Sequence, residues 1–327
     1  GDVYKRQGHT RVYLYNNSDW TQLGDDIIGE DAGDYSGWSV SLSSDGSVVV
    51  IGSMYTTNVN GDDYAGQVRV WKYSNPGVTG GSWTQLGDDI EGEAYNDSTG
   101  YAVSINSDGS IIALSDRLND DNGENAGRVR VFQYSNSDMT AGGSWIKIGN
   151  ILGEGAGDYL TSASGLSLSS DGTVLACGSQ NNNSDTGHTR IYQYINSEWI
   201  QVGDDIDGEN TGDRSGYSVS LSSDGSIVAI GEFFANGYYG NARIFSTAVT
   251  VTNTTILTTL SASTKPKLNK EGDKLTILNE QHLDDLSGNG LIQSYQYSES
   301  DASWNYLGDK IESSSCLLYT SDAADES

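Results

Sequence analysis

The chain has 327 residues and a formal charge of −28, with 45 Asp and Glu against 17 Lys and Arg. That balance lacks the basic footprint of a nucleic-acid binder and would be repelled by an anionic membrane surface, and no run of 18 apolar residues exists to span a bilayer. Its 41 Gly, 2 Pro and periodic apolar residues suit many short strands joined by tight turns.

The two ends read differently from the rest. Asp2–Gln7 and Cys316–Ser321 are what opposite strands of one DNA duplex would encode, that of a transposase-type sequencing adapter, and Asp322–Glu326 resembles its continuation. Residues 1–7 and 316–327 are therefore expected to be adapter-derived, and 8–315 to be an internal piece of a longer protein. Cys177 is then a lone thiol in an apolar run, a small core residue with no disulfide partner.

Between the ends a long unit recurs. Its central turn falls at Asp45-Gly46, Asp108-Gly109, Asp171-Gly172, Asp224-Gly225 and, in weaker form, Glu271-Gly272, at spacings of 63, 63, 53 and 47 residues. Self-similarity at this period marks an array in which neighbouring units bury one another's faces. Residues 8–30 supply half a unit, strands C and D. Full units follow at 36–93, 99–154, 164–209 and 215–262, and an eroded one at 263–312, where Leu268–Leu278 replaces the usual hairpin.

Within a unit, Tyr217–Leu221 alternates apolar residues with serine, as strand A should. Ser222-Ser223-Asp224-Gly225 is a tight turn, and Ile227–Gly231 is a continuous apolar strand B, buried on both faces. Strand C alternates again at Arg128–Tyr134, and strand D is Trp83–Gly87. The unit at 215–262 lacks the strand-D tryptophan, leaving Val251–Leu260 to supply that strand. Four-stranded antiparallel units repeated this way predict an all-β fold, a β-propeller, whose parent has six or seven blades. A parallel β-helix would need far shorter coils. Trp20, Trp83, Trp145, Trp199 and Trp304 recur at one position and are expected to pack between adjacent blades.

Ser36–Val40 through Val50–Gly52 with Gly66–Val70, Gly100–Leu114 with Gly127–Val131, and Gly216–Gly231 with Gly240–Ile244 carry a resemblance to the FG-GAP repeat, the propeller repeat related to integrin α-subunits. The resemblance implies an extracellular binding or adhesion module, secreted or at the cell surface. One feature of that family does not carry over. Its calcium loop between strands A and B shrinks here to Ser43-Ser44-Asp45-Gly46 and its equivalents, too few oxygens for the six to eight ligands that Ca²⁺ takes.

In an up-and-down blade the D–A and B–C connections share one side. The D–A connections repeat a Glu followed four residues later by Asp: Glu30 and Asp34, Glu93 and Asp97, Glu154 and Asp158, Glu209 and Asp213. The B–C loops add Asp62, Asp63 and Asp185. These residues are expected to form an acidic rim for a protein or carbohydrate ligand, or else to cap turns and pair with the recurring strand-C arginines Arg11, Arg69, Arg130, Arg190 and Arg243. Asp116, Asn119, Asp120, Asp121 and Glu124 are dense enough in oxygen for a calcium site, though not at EF-hand spacing. No G-x-S-x-G, H-E-x-x-H or phosphate loop is present. His9 and His188 share a Gly-His-Thr-Arg position, which favours a packing role over catalysis, and His282 stands alone. The expected function is a non-enzymatic adhesion or binding module using the acidic rim. The alternative is a carbohydrate-active propeller enzyme, a glycoside hydrolase or lyase, using a carboxylate pair near the axis.

Overall fold

The structure, a computed structural model, describes residues 7–16 and 18–247, and beyond them the backbone pairing of strands Leu260–Ser261, Lys265–Leu268, Lys274–Asn279, Leu291–Ser298, Ser303–Tyr306 and Ile311–Glu312. Residues 1–6 and 316–327, the Glu271-Gly272 turn and His282 lie outside the described residues.

Successive segments fold as antiparallel sheets in simple A-B-C-D order, so the chain is a β-propeller. The second blade uses Ser39–Leu42, Val48–Ser53, Gln67–Tyr73 and Trp83–Gln85. The third uses Thr99–Ile105, Ile111–Asp116, Arg128–Tyr134 and Trp145–Leu152. The fourth uses Leu166–Leu168, Val174–Ser179, His188–Ile195 and Glu198–Gln201. The fifth uses Ser215–Leu221, Ile227–Glu232, Asn241–Ser246 and Leu260–Ser261. The sixth keeps a regular hairpin, Lys265–Leu268 paired with Lys274–Asn279, where the sequence reads as eroded. Ahead of these, Tyr13–Asn16 and Asp19–Gln22 form the half blade.

Strand D has a built-in step. In the second blade Trp83–Gln85 and the separate pair Ile90–Glu91 both bond to strand C, and Gly87-Asp88-Asp89 loops out between them. The third blade has Ile-Gly-Asn in place of Leu-Gly-Asp-Asp, one residue fewer. Its strand D runs unbroken from Trp145 to Leu152 with a single bulge opposite Val131 and Phe132.

Strand B is the buried centre of each sheet. Every residue of Val48–Ser53 is buried, and Val50, Ile51, Ile112 and Leu114 are at 0% exposure. Apolar clusters form between blades: Val48, Val50, Val70, Ile112, Leu114 and Phe132 join the second and third, and Val129, Val131, Leu166, Leu175 and Cys177 join the third and fourth. Cys177 is wholly buried in strand B, and burial pushes its thiol up to about 12.

The serines of strand A and its turn join the blades. Ser44 N–H donates to Ser107 O at 3.0 Å, Ser107 N–H to Ser170 O at 2.9 Å, and Ser170 N–H to Ser223 O at 2.7 Å. Ser41, Ser104 and Ser167 hydroxyls accept the N–H of Ile105, Leu168 and Leu221 from the next blade. Backbones meet so closely that a Cβ on Gly52 would lie 2.1 Å from Gly100 O, and one on Gly178 would lie 2.2 Å from Gly216 O.

Trp83, Trp145 and Trp199 sit between blades as expected, at the outer edge and only half-buried. Trp83 Nε1 donates to Leu23 O at 2.6 Å over Gly24, Trp145 Nε1 to Leu86 O at 2.7 Å over Gly87, and Trp199 lies over Gly149. Trp20, in the half blade, is 65% exposed. The side chain of Trp304 is outside the described residues.

Candidate functional site

The D–A and B–C connections meet on one side of the sheets. Asn58 Nδ2 of a B–C loop donates to Gly92 O of the following D–A loop at 3.0 Å, and Asn122 Nδ2 to Gly153 O at 2.8 Å. In each D–A connection the aspartate folds inward. Asp34, Asp97, Asp158 and Asp213 are buried, and each accepts a backbone N–H from the start of its own turn: Asp31, Glu93, Glu154 and Asn210 respectively. Burial raises Asp34, and burial together with nearby Asp116 raises Asp97.

The partner glutamates turn outward toward the next blade. Glu30 accepts Gln67 Nε2 at 3.0 Å and lies 3.6 Å from Arg69. Glu93 is 2.8 Å from Arg128 and near Arg130 and Lys147. Glu154 accepts Asn182 Nδ2, and Glu209 is exposed. Among the loop acids, Asp62 accepts Asn58 Nδ2, Asp63 accepts Thr57 Oγ1, and Asp185 faces Arg214 at 3.2 Å.

The recurring strand-C arginines have a backbone task that their spacing did not reveal. Arg69, Arg130, Arg190 and Arg243 each donate from Nη2 to a carbonyl of the preceding blade's last strand: Ile28, Glu91, Leu152 and Asp207. Arg11, in the half blade, instead holds Asp26 at 2.8 Å, and its hydrogen bonds bring that carboxyl down to about 2.

The five residues read as a calcium cluster are not grouped around one point. Asp116 is fully buried and bonds to Arg128, Arg130 and Thr99. Asn119 is buried and donates to Asp97 at 3.1 Å. Asp120 caps the N–H of Asn125, Asp121 pairs with Arg128 at 2.8 Å, and Glu124 is exposed. The outward-turned oxygens are thus divided between an arginine and a turn.

Aromatic side chains crowd the same face. Tyr35, Tyr55, Tyr64 and Tyr95 form an edge-to-face ladder with centroid separations of 5.2, 5.5 and 6.4 Å. Trp38 packs on Tyr101, and Arg117 lies over both Tyr101 and Tyr159. Their placement rests on unusual backbone. The residue after each buried aspartate, namely Tyr35, Ser98, Tyr159 and Arg214, has φ of 55°, 54°, 50° and 54°. Such left-handed values are costly for bulky residues and persist only where the surroundings enforce them. Here the capped turn does so, aiming Tyr35 at Tyr55 and Arg214 at Phe234. Glu30, Asp31, Asp34, Tyr55, Asp63 and Tyr64 enclose a half-open groove of about 350 Å³. Sequence spacing identified the acids but not the rings, since nothing in a tyrosine's position marks a left-handed residue.

At the opposite end of the axis, the A–B turns surround a shallow pocket of about 200 Å³ lined by Leu42, Ser44, Ile105, Ser107, Leu168, Ser170 and neighbours. Among the described residues its lining holds no carboxylate. His188 is buried at the edge of the fourth blade while His9 is exposed, so their shared repeat position does not give them one role.

No protein-family model and no curated protein matches the chain. Solved structures do. A chain in the Mitotic Checkpoint Complex aligns at TM-score 0.54 and 16% identity, over 93% of this chain and 74% of that one. A candidate 6-phosphogluconolactonase from Bacteroides uniformis aligns at 0.50 and 13%, over 92% and 94%. TolB from Acinetobacter baumannii aligns at 0.49 and 14%, over 89% of this chain and 57% of TolB. At these identities the likeness establishes the propeller fold alone. The functional expectation is corrected: the FG-GAP resemblance finds no matching family model, and neighbours aligned along most of both chains include two candidate 6-phosphogluconolactonases, so extracellular adhesion is not supported.

Proposed function

We propose that the chain is a protein-docking platform whose groove between residues 30–35 and 55–64 receives a cationic segment of a partner protein. The observation that carries this is the tyrosine ladder standing over carboxylates. Tyr55, Tyr64 and Tyr95 are 38%, 47% and 65% exposed and touch in series, and Tyr55 and Tyr64 line the groove with Glu30, Asp31 and Asp63. Exposed tyrosines offer rigid contact area at low entropic cost and are enriched at interfaces. A lysine or arginine head in this groove meets ring faces and acids together, a pairing worth about 0.5–2 kcal/mol per ring contact. The surrounding acids Asp62, Glu93, Glu154, Asp185 and Glu209 support the reading by steering a basic partner toward the face. That a similar fold occurs within the Mitotic Checkpoint Complex is consistent with a docking role.

The test is fluorescence anisotropy with a labelled peptide alternating Arg and Gly, against its Glu-for-Arg counterpart. The full chain should bind the first and not the second, and the double variant Tyr55→Ala/Tyr64→Ala should lose about tenfold in affinity with its melting temperature kept. Equal binding by the variant, or equal binding of both peptides, overturns the proposal.

A further inference from the structure

We propose that Glu154, His188 and Asp205 form a site for one divalent transition-metal ion of the zinc type at the seam between the third and fourth blades. Glu154 comes from the D–A connection that leaves the third blade. His188 opens strand C of the fourth, and Asp205 lies in the step of its strand D. One ligand atom from each stands within 4.8 Å of the other two, the one such triad among the described residues. His188 Nδ1 is 3.8 Å from Glu154 and 3.6 Å from Asp205.

Those separations are too long for hydrogen bonds. They are close to what three atoms need to share an ion about 2.0–2.2 Å from each, the bond length of zinc to imidazole nitrogen or carboxylate oxygen. The histidine supplies the independent observation. Its side chain is 1% exposed and its Nε2 is buried without a hydrogen-bond partner, so the ring's polar outlet is Nδ1, which faces the two acids.

The sibling seams sharpen the point. At the same repeat position, Gln67 two blades earlier closes directly on Glu30 at 3.0 Å, and Arg128 one blade earlier closes on Glu93 at 2.8 Å. The His188 seam leaves the closing bond unmade. Asp205 is also held from behind, Gln201 Nε2 donating to its Oδ1 at 2.7 Å while Oδ2 faces His188; Asn182 Nδ2 donates at 3.1 Å to Glu154 Oε2, the oxygen on the histidine side. Such outer partners orient metal ligands. Glu154 and Asp205 are 44% and 24% exposed, which gives an ion an entry path and leaves room for water as a fourth ligand. One imidazole with two carboxylates suits zinc, cobalt or manganese better than calcium, which takes oxygen alone.

The experiment is titration of the full chain with Zn²⁺ by calorimetry and with Co²⁺ by visible absorption, repeated on His188→Gln and Asp205→Asn. His188→Gln installs the residue that the second blade already carries at this position. Expected are one equivalent per chain, a cobalt band at visible wavelengths, a rise in melting temperature of about 5 °C at saturating zinc, and a loss of at least about tenfold in affinity in either variant. Absence of uptake overturns the site. So does uptake of several equivalents that His188→Gln leaves unchanged, which would be cation binding by the acidic surface, and so does equal displacement of Co²⁺ by Ca²⁺.

Discussion

On the side of the A–B turns, Ser44, Ser107, Ser170 and Ser223 occupy one repeat position and form one kind of bond, linking each blade to the next. On the loop side, the residue that opens strand C is Gln67, Arg128, His188 and Asn241 in successive blades, and its surroundings change with it. Opposite it on strand B stand Ser53, Asp116, Ser179 and Glu232. The turn side is uniform because its residues bond through backbone groups that every blade presents. The loop side adds side-chain pairs to its backbone bonds, and each pair can change with its partner while the sheet is kept. Individuality in this repeat therefore collects at one end of the axis.

The largest test of that contrast removes one member from each side. Asp116→Ala strips a fully buried carboxylate from Arg128 and Arg130 and should cost about 3 kcal/mol in urea unfolding, because two buried guanidinium groups lose the acid they share and keep only the half-exposed Glu93 and Asp121 and the more distant Asp97. Ser107→Ala on the turn side removes an exposed hydroxyl and keeps both backbone bonds, so it should stay within about 0.5 kcal/mol. A comparable cost for the two would break the distinction.

The outer edge provides an intermediate case. Trp145→Ala loses its bond to Leu86 O and its packing over Gly87, and should cost about 2 kcal/mol, below the full-burial range because the ring is half-buried. Trp20→Ala, at the same repeat position but largely exposed, should cost less than about 0.5 kcal/mol. Thermal or urea melts of the pair measure what blade-to-blade packing adds.

The smallest effect is in pH dependence, where the aspartates of the A–B turns and the buried acids of the loop side have opposite signs. On the turn side, Asp224 is held below the usual carboxylate range chiefly by the N–H of Ser226. At Asp45 the bonds from Ser47 and Ser43 together outweigh a larger opposing effect of burial. A lowered folded value stabilises above the unfolded value of about 3.9, and that contribution is lost as pH falls through the folded value. On the loop side, burial raises Asp34, Asp97 and Glu232. Their contribution is present below the unfolded value and lost as pH rises through the folded one. Urea midpoints followed from pH 7 downward should thus show Asp224→Asn flattening the acid loss and Asp97→Asn removing a gain. The same change of slope in both variants would contradict the assignment.

How much of this was legible follows the same divide. Strand order, the Asp-Gly turns, the buried strand B and the tryptophan seams could all be read, because period-2 alternation and turn chemistry are local. The bonds of Ser41, Ser104 and Ser167 to the next blade could not, since alternation explains a serine only as a solvent-facing residue. The triad of Glu154, His188 and Asp205 was equally hidden. Its members come from a D–A connection, the start of a strand C and a strand-D step in two blades, and repeat symmetry pointed to His9 as the equivalent of His188. The aspartates following the D–A glutamates were noticed for their charge, whereas their position decides their role: each is drawn under its own turn by a backbone N–H.

The left-handed residue after each of those aspartates has a consequence for how the protein can change. Tyr35, Ser98, Tyr159 and Arg214 place three kinds of side chain on one backbone pose, set by a turn that does not depend on what it carries. The pose works as a socket and the side chain as an interchangeable peg. A new specificity could then be written into four codons while the scaffold's hydrogen bonding stays as it is.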